Sequence, residues 1–582
     1  MKQAWKFPFL ILTLLFSLSP SFGQKQYPQN YFKSPLNIKL YSSGTFGELR
    51  SNHFHSGLDL KTQGRIGLAV LAAAEGTVVR IKVSPYGFGK ALYLRHPNGY
   101  TTVYAHLNEF APEIEAYVIS EMKRSQKNEV NLFPPAAKFS FKQGEEIAKS
   151  GNSGGSGGPH LHFEIRDTRS EKIINPLLFG LEVDDHLPPE IGPLQLYFFK
   201  DGQPTGQKEY SLLNQGEGNY VLSGNGIVEG SHELSFGLYA IDKQDKTKNR
   251  NGIYKLELFV ADKLVHSFAV ETFAFAESRY INAHIDYGLK ACCRRTSHRL
   301  YMEPGNRLST YANKARAGHL SFSKDTVIPL RIVASDAAGN KSRLAFDLHY
   351  TYKAQKAIQE LAPSDVSAKA QFENIRFQQA EVLHGPQYEL GFKSNSFYRD
   401  YQIEIKQEKQ TGLYSDLFSF GDRSIPVHLY YDLKLRVNQL PKGVDPSKLF
   451  IASFRDGKYD DYEGGYYQDG WVRTRTRQLG QFAIMEDHTA PSIKAKNFSN
   501  QSRLKQNSTL IVDIRDDLSG IEQYNVWVDE TWVPAYYDAK TKRLLIKMKY
   551  WPAAKGSKQV LKLRVEDDRK NQREEIWELF IS

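Results

Sequence analysis

From His160 to Arg166 polar and apolar residues alternate without a break, His160-Leu161-His162-Phe163-Glu164-Ile165-Arg166, and a period of two is the repeat of a β-strand. Side chains two apart share a face of a strand, so His160 and His162 are expected to project together. The glycine-rich run Gly151-Asn152-Ser153-Gly154-Gly155-Ser156-Gly157-Gly158 delivers them. Two imidazoles placed side by side in this way point to a built site rather than a decorated surface. The run is not a phosphate-binding loop, because it lacks the Gly-Lys-Ser/Thr ending.

The same texture extends along the chain. Residues 36–180 read as short strands between glycine turns, as in Val78-Val79-Arg80-Ile81 and Ala91-Leu92-Tyr93-Leu94. One stretch inside them, Glu113 to Lys127, has helical composition and a charged end, and residues 112–141 are expected to border a cleft. From Leu187 the strands lengthen and their turns become acidic, which is how all-β sandwiches read. The fold class expected is therefore all-β.

At 582 residues the chain exceeds what one core supports, and about three to five domains are expected at roughly 100 to 200 residues each. An internal echo divides the second half. Pro188-Pro189-Glu190-Ile191 is repeated by Ala490-Pro491-Ser492-Ile493, preceded by Asp185-His186 and Asp487-His488 respectively. Gly252-Ile253-Tyr254 resembles Gly520-Ile521-Glu522, and each copy closes on an aspartate-and-asparagine turn, Asp336 to Asn340 and Asp567 to Asn571. Immunoglobulin-like sandwiches are expected at 187–352, enlarged by an insertion, and at 489–582. A further β-rich unit is expected at 370–487, after a linker at 353–369.

Residues 1–23 read as a secretory signal: Lys2 and Lys6, an apolar run from Phe9 to Leu18, and small residues at Ser21-Phe22-Gly23. The apolar run falls short of the ~20 residues of a spanning helix. An exported chain follows, in the periplasm or at the cell surface, with no later membrane span. Cys292 and Cys293 are adjacent and cannot join distant segments; free thiols are expected, with a bond between the two as the alternative. The net charge of +11 favours an anionic envelope polymer as surroundings. Nucleic acid is set aside, since no basic run or recognition motif occurs.

Of 16 histidines, spacing singles out a few. His55-Ser56-Gly57-Leu58-Asp59 holds an imidazole and a carboxylate four apart around a glycine, both ligand types that zinc accepts. His106 follows the alternating Val103-Tyr104-Ala105. His96 belongs to an Arg-His-Pro-Asn-Gly turn and reads as structural, and Asn52 and His53 receive no role. No His-Glu-x-x-His stretch occurs, which excludes a thermolysin-type site.

Taken in order, His55-x-Gly57-x-Asp59, Tyr104-x-His106 and the glycine run into Gly158-Pro159-His160-Leu161-His162-Phe163-Glu164 resemble the lysostaphin and LytM zinc endopeptidases of bacterial cell wall. The resemblance covers about a fifth of the chain and does not reach the sandwiches. It implies Zn²⁺ held by His55, Asp59 and His162, with His106 and His160 catalytic, and peptide bonds of peptidoglycan as substrate. Glu164 would orient a neighbouring imidazole or form a surface salt bridge. The alternatives are a non-enzymatic wall-binding or hydrolase-regulating protein of the same fold, and a surface adhesion or scaffold protein whose sandwiches bind protein partners.

Overall fold

The computed structural model describes residues 27–312, 318–352, 371–440, 442–552 and 558–581. The leader read at 1–23 and the linker read at 353–369 lie outside the described residues. Among the described residues no helix is long and apolar enough to cross a membrane. The chain is nearly all-β, arranged as an N-terminal sheet domain followed by three pairs of sheets.

The N-terminal domain is built on an antiparallel sheet whose spatial order is Ser42–Gly44, Leu58–Lys61, His160–Asp167, Tyr100–Ala105, Ala91–Arg95, Gly76–Val83 and Val130–Leu132. The alternation read at 160–166 decides which face meets the core. Leu161, Phe163 and Ile165 are fully buried, each contributing about 1.5–3 kcal/mol by leaving water. His160, His162, Glu164 and Arg166 are left on the other face. A one-residue slip would drive the histidines into the core, so the apolar residues fix the register of the polar ones.

Two neighbouring strands supply the rest. His162 is directly opposite Asp59 on one side and Ala105 on the other. Cross-strand partners present their side chains on one face, so Asp59 joins His162 there, and His106 leaves the end of the Tyr100–Ala105 strand beside them. Tyr27 and Phe32 are buried in the same core, which therefore begins before residue 36.

The expected helix forms at Pro112–Ser125. Proline opens it, Glu113 and Glu115 lie in its first turn, and Lys123 and Arg124 lie in its last, all complementing the helix dipole. Ile114, Val118, Ile119 and Met122 bury one face on the N-terminal core.

The first pair of sheets combines a four-stranded sheet, centred on Glu190–Lys200 and Glu233–Ile241, with a seven-stranded one centred on Thr326–Ser335 and Lys341–Tyr350. Its insertion carries the short helices Ile281–His284 and Tyr287–Cys293. Cys292 and Cys293 are bonded to each other, contrary to the expectation of free thiols: adjacency leaves each sulfur its neighbour as the one partner in reach. The second pair spans Gln371–Ile375 to Gly480–Glu486 and the third Ser492–Ala495 to Gln572–Ile581.

These units are joined by more than the chain. Ile173–Ile174 pairs with Thr272–Phe273 of the first sandwich, and Phe46 and Phe54 are buried in that sandwich's core. The last sandwich sits against the helix: Tyr550 Oη donates to Glu115 Oε1 at 2.7 Å, Lys549 Nζ to Glu109 Oε1 at 2.9 Å, and Trp532 enters the N-terminal core.

Candidate metal centre

Three donor atoms meet on the polar face of the central strand. His55 Nε2 is 3.0 Å from Asp59 Oδ1 and 3.1 Å from His162 Nδ1, and His162 Nδ1 is 2.9 Å from the same carboxylate oxygen. All three residues are buried, at 7%, 7% and 2% exposure.

The partners of the other ring nitrogens decide what these atoms offer. His55 Nδ1 is 2.8 Å from the Thr45 carbonyl oxygen, which only accepts, so Nδ1 carries the proton and Nε2 a lone pair. His162 Nε2 is 3.0 Å from Glu164 Oε1 and its Nδ1 is 2.9 Å from Asp59 Oδ1; burial opposes charge on the ring, but the two carboxylates outweigh it and raise it to about 9, so a proton bridges His162 and Asp59. With Nε2–H held by Glu164, Nδ1 is the atom a cation would take in place of that proton. Two imidazoles and a carboxylate are a donor set for zinc. Donor atoms on zinc at ~2.0–2.1 Å in a tetrahedron stand about 3.3 Å apart, close to the spacings here. The residues present fit the metal.

Around the three lies a set of orienting groups. Glu164 is fully buried and accepts from Arg166 Nε at 2.7 Å and Nη2 at 2.5 Å. Burial opposes its charge, but Arg166 and His162 outweigh that and hold its carboxyl down at about 2. Arg166 is itself stacked over Tyr93 and Phe275. Arg50 Nη2 donates to Asp59 Oδ2 at 3.1 Å, so that Oδ1 is the oxygen turned to the histidines. Burial likewise opposes charge on Asp59, yet His55, His160 and His162 together keep it well below the ordinary carboxylate range. The glycine of the first motif has a steric reason: a Cβ at Gly57 would collide with the Phe163 carbonyl and the His162 ring.

His106 and His160 form a second pair beside the first, with ring centroids 4.7 Å apart. His106 takes a left-handed backbone, φ +59°, uncommon for a residue with a side chain, and its Nδ1 donates to Ser153 O at 2.8 Å. Its Nε2 is therefore the free lone pair. Burial, then repulsion from His162 and His160, lowers its pKa to about 3, so the ring stays neutral. His160 Nδ1 lies 2.8 Å from Gly158 O, and its Nε2 lies 3.3 Å from Asp59 Oδ1. All five residues singled out by spacing thus stand in one place.

A cleft of about 530 Å³ opens beside Asp59 and His160, lined also by Ser43, Arg50, Lys61 and Gly157 to Pro159. No residue of 112–141 lines it; Asn128 of that stretch lines a separate cleft with Lys90, Ser153 and Tyr536, and the helix itself carries the last sandwich. Among the other histidines, His96 is a structural residue, its ring held by Glu75 O and Thr102 Oγ1. Thr45, Arg50 and Arg166 escape a reading of spacing. A backbone carbonyl leaves no trace in sequence, and an arginine two residues past a glutamate is common on any strand.

Residues 53–122 match the family model "Peptidase family M23", and residues 373–487 match "Zu5-like domain". An uncharacterized metalloprotease of Haemophilus influenzae is 35% identical over 27% of this chain and 28% of its own length. The DD-carboxypeptidase/endopeptidase Mpg of Neisseria meningitidis is 32% identical over 23% of this chain and 24% of its own. The peptidoglycan DD-endopeptidase ShyA of Vibrio cholerae is 31% identical over 19% and 20%. The chain spans about a quarter of the length of these relatives. The catalytic domain of lysostaphin from Staphylococcus simulans is 25% identical over 25% of this chain and 92% of its own, with a TM-score of 0.18. The N-terminal domain of this chain belongs to peptidase family M23.

Proposed function

We propose that this chain is an exported zinc endopeptidase that hydrolyses peptide bonds of peptidoglycan. The observation that carries the reading is the convergence of His55 Nε2, Asp59 Oδ1 and His162 Nδ1, with the opposite nitrogen of each ring held by Thr45 O or Glu164. His55, Asp59 and His162 would hold the ion. The chemistry supplied by zinc in such a site is Lewis-acid chemistry, polarising a carbonyl and acidifying a water.

The protein's own groups do the rest. His106 and His160 each donate Nδ1–H to a backbone carbonyl and so keep Nε2 as the lone pair beside the metal ligands, where a proton can be taken from the attacking water and returned to the leaving amine. The Asp59 carboxylate lies 3.3 Å from His160 Nε2, which places that ring directly against a metal ligand. Thr45, Glu164 and Arg50 hold the ligands in place. The names of the Neisseria and Vibrio relatives support cell wall as the substrate. The basic charge of +11 supports an anionic polymer as partner, in the periplasm or at the cell surface.

The test is to incubate purified full-length protein with cell-wall sacculi and assay newly freed peptide amines. His106→Ala and His160→Ala should keep zinc and lose about 10²- to 10⁴-fold in rate. Undiminished release by both would refute the assigned proton-handling roles. Absence of release by the zinc-loaded wild type would refute the substrate.

A further inference from the structure

Away from the histidines, two buried carboxylates and a half-buried one meet where the N-terminal domain hands over to the first sandwich. Asp185 precedes the strand Glu190–Lys200, Asp242 follows Glu233–Ile241, and Asp336 follows Thr326–Ser335. Oxygens of the three lie within 4.8 Å of one another. We propose that this joint binds a divalent cation of the calcium class through Asp185, Asp242 and Asp336.

An acidic cluster alone would not carry this; the neutral side chains beside it do. Asp242 and Asn251 exchange both backbone hydrogen bonds, N to O at 2.9 and 2.8 Å, so their side chains project on the same side. Asn251 is 1% exposed, and neither its Oδ1 nor its Nδ2 has a partner. Asp242 Oδ1, in a residue 2% exposed, is unpartnered too. A polar group buried without a partner costs about 1–3 kcal/mol, and this one place holds several. An ion contacting these oxygens would satisfy them together.

The donor set names the ion class. Every candidate atom is oxygen, with no sulfur or imidazole nitrogen among them, which suits a hard cation. Calcium takes six to eight oxygens at ~2.3–2.6 Å, so it bridges ligands up to about 5 Å apart. His186, next to Asp185 in the chain, is hydrogen-bonded to Asp245.

The last sandwich repeats the arrangement. Asp487, Asp516 and Asp567 also cluster within 4.8 Å. Asn571 Nδ2 donates to Asp487 O at 3.1 Å and to Asp567 Oδ2 at 2.8 Å, and Asn340 Nδ2 donates to Asp185 O and Asp336 Oδ2 at the same two distances. Arg515, just before Asp516, pairs with Ser492 as Ile241, just before Asp242, pairs with Glu190. Each triad therefore joins the segment entering a sandwich to two turns at its end, and an ion there would hold the entering domain against the sandwich.

The proposal does not depend on the peptidase reading and is tested on the full chain with zinc kept in place. Calcium chloride is titrated into protein stripped of calcium, by calorimetry and by thermal unfolding, up to about 10 mM, beyond the range of weak extracellular sites. Wild type should bind at the Asp242 joint and gain roughly 5 °C or more at saturation. Asp242→Asn should lose one bound calcium while Asp516→Asn keeps that one. Asn251→Ala, which leaves all three carboxylates, should weaken the same site about tenfold and covers the case in which Asp242→Asn does not fold. Wild type that binds no calcium, or Asp242→Asn and Asn251→Ala variants that bind as wild type does, would overturn the proposal.

Discussion

The histidine face and the aspartate joint each gather three ionisable side chains, yet they are prepared in opposite ways. At His55, Asp59 and His162 charged side chains and a backbone carbonyl hold each ligand in one orientation. Thr45 O and Glu164 take the far ring protons, and Asp59 is held ionised. At Asp185, Asp242 and Asp336 the donors are neutral, backbone N–H groups and the Asn340 amide, Asp242 Oδ1 has none, and the carboxyls are pushed toward their neutral forms. Orienting partners suit a metal that must be held in one geometry while leaving a position open, whereas bare oxygens suit an ion that tolerates irregular coordination. The first site is set up for chemistry and the second for fastening.

The largest expected effect separates the two by removing a ligand from each. His162→Ala should lower peptide release from sacculi by on the order of 10³-fold or more, since several kcal/mol of carbonyl polarisation are lost with the ion. Asp242→Asn should leave release on small soluble peptides within about twofold, because no group of the joint reaches the cleft. A comparable loss in both variants, measured side by side, would erase the distinction.

A finer cut touches only the orienting partner. Glu164→Gln keeps the shape of the buried residue but removes the charge facing His162 and Arg166, and zinc affinity should fall about 10- to 100-fold in a competition assay with a chromogenic chelator. Calcium binding should be unmoved. Glu164→Ala strands the Arg166 guanidinium, 4% exposed, and should cost about 3–5 kcal/mol in urea unfolding.

The pH dependence of stability gives the two sites different signatures. Asp185 and Asp242 have folded-state pKa values of about 7 and about 9, above the ~3.9 of an unfolded aspartate. The folded chain therefore binds the extra protons, and the stability they contribute is full below about pH 4 and lost as pH rises through 7 to 9. Urea midpoints of calcium-free protein should decline over that window, and saturating calcium or Asp242→Asn should flatten the decline. A midpoint that climbs from pH 5 to 9 without calcium would contradict the direction of both shifts.

The smallest effect tests the likeness of the two joints. Asn340→Ala and Asn571→Ala each delete one amide that donates to a backbone carbonyl and a carboxylate, so each should cost about 1–2 kcal/mol in chemical denaturation. Unequal costs would show that the two sandwiches use the turn differently.

The sequence carried some of this openly and hid the rest for physical reasons. The alternation from His160 to Arg166 is legible because burial of Leu161, Phe163 and Ile165 requires it, and the helix at Pro112–Ser125 announces itself by proline, acids and bases in order. The histidine motifs are legible because ligands must recur at fixed spacing on neighbouring strands. Thr45 was silent, since its role is played by a main-chain oxygen that any residue supplies. The echo of Asp185 and Asp336 in Asp487 and Asp567 could be read from the repeat, but the third acid could not. Asp242 and Asp516 sit in dissimilar surroundings, Ala240-Ile241-Asp242 against Ile514-Arg515-Asp516, and only strand pairing brings them into register. Nothing local to the helix records that Tyr550, more than 400 residues later, docks on it.

The most direct test of the histidine face is a zinc titration of hydrolysis. Metal-free full-length protein is given zinc in steps, and peptide release from sacculi is followed at each. The account predicts activity that rises to a break at one zinc per chain and a His162→Ala variant that stays at background throughout. Full activity in the metal-free protein, or in His162→Ala at the same zinc content, would contradict it.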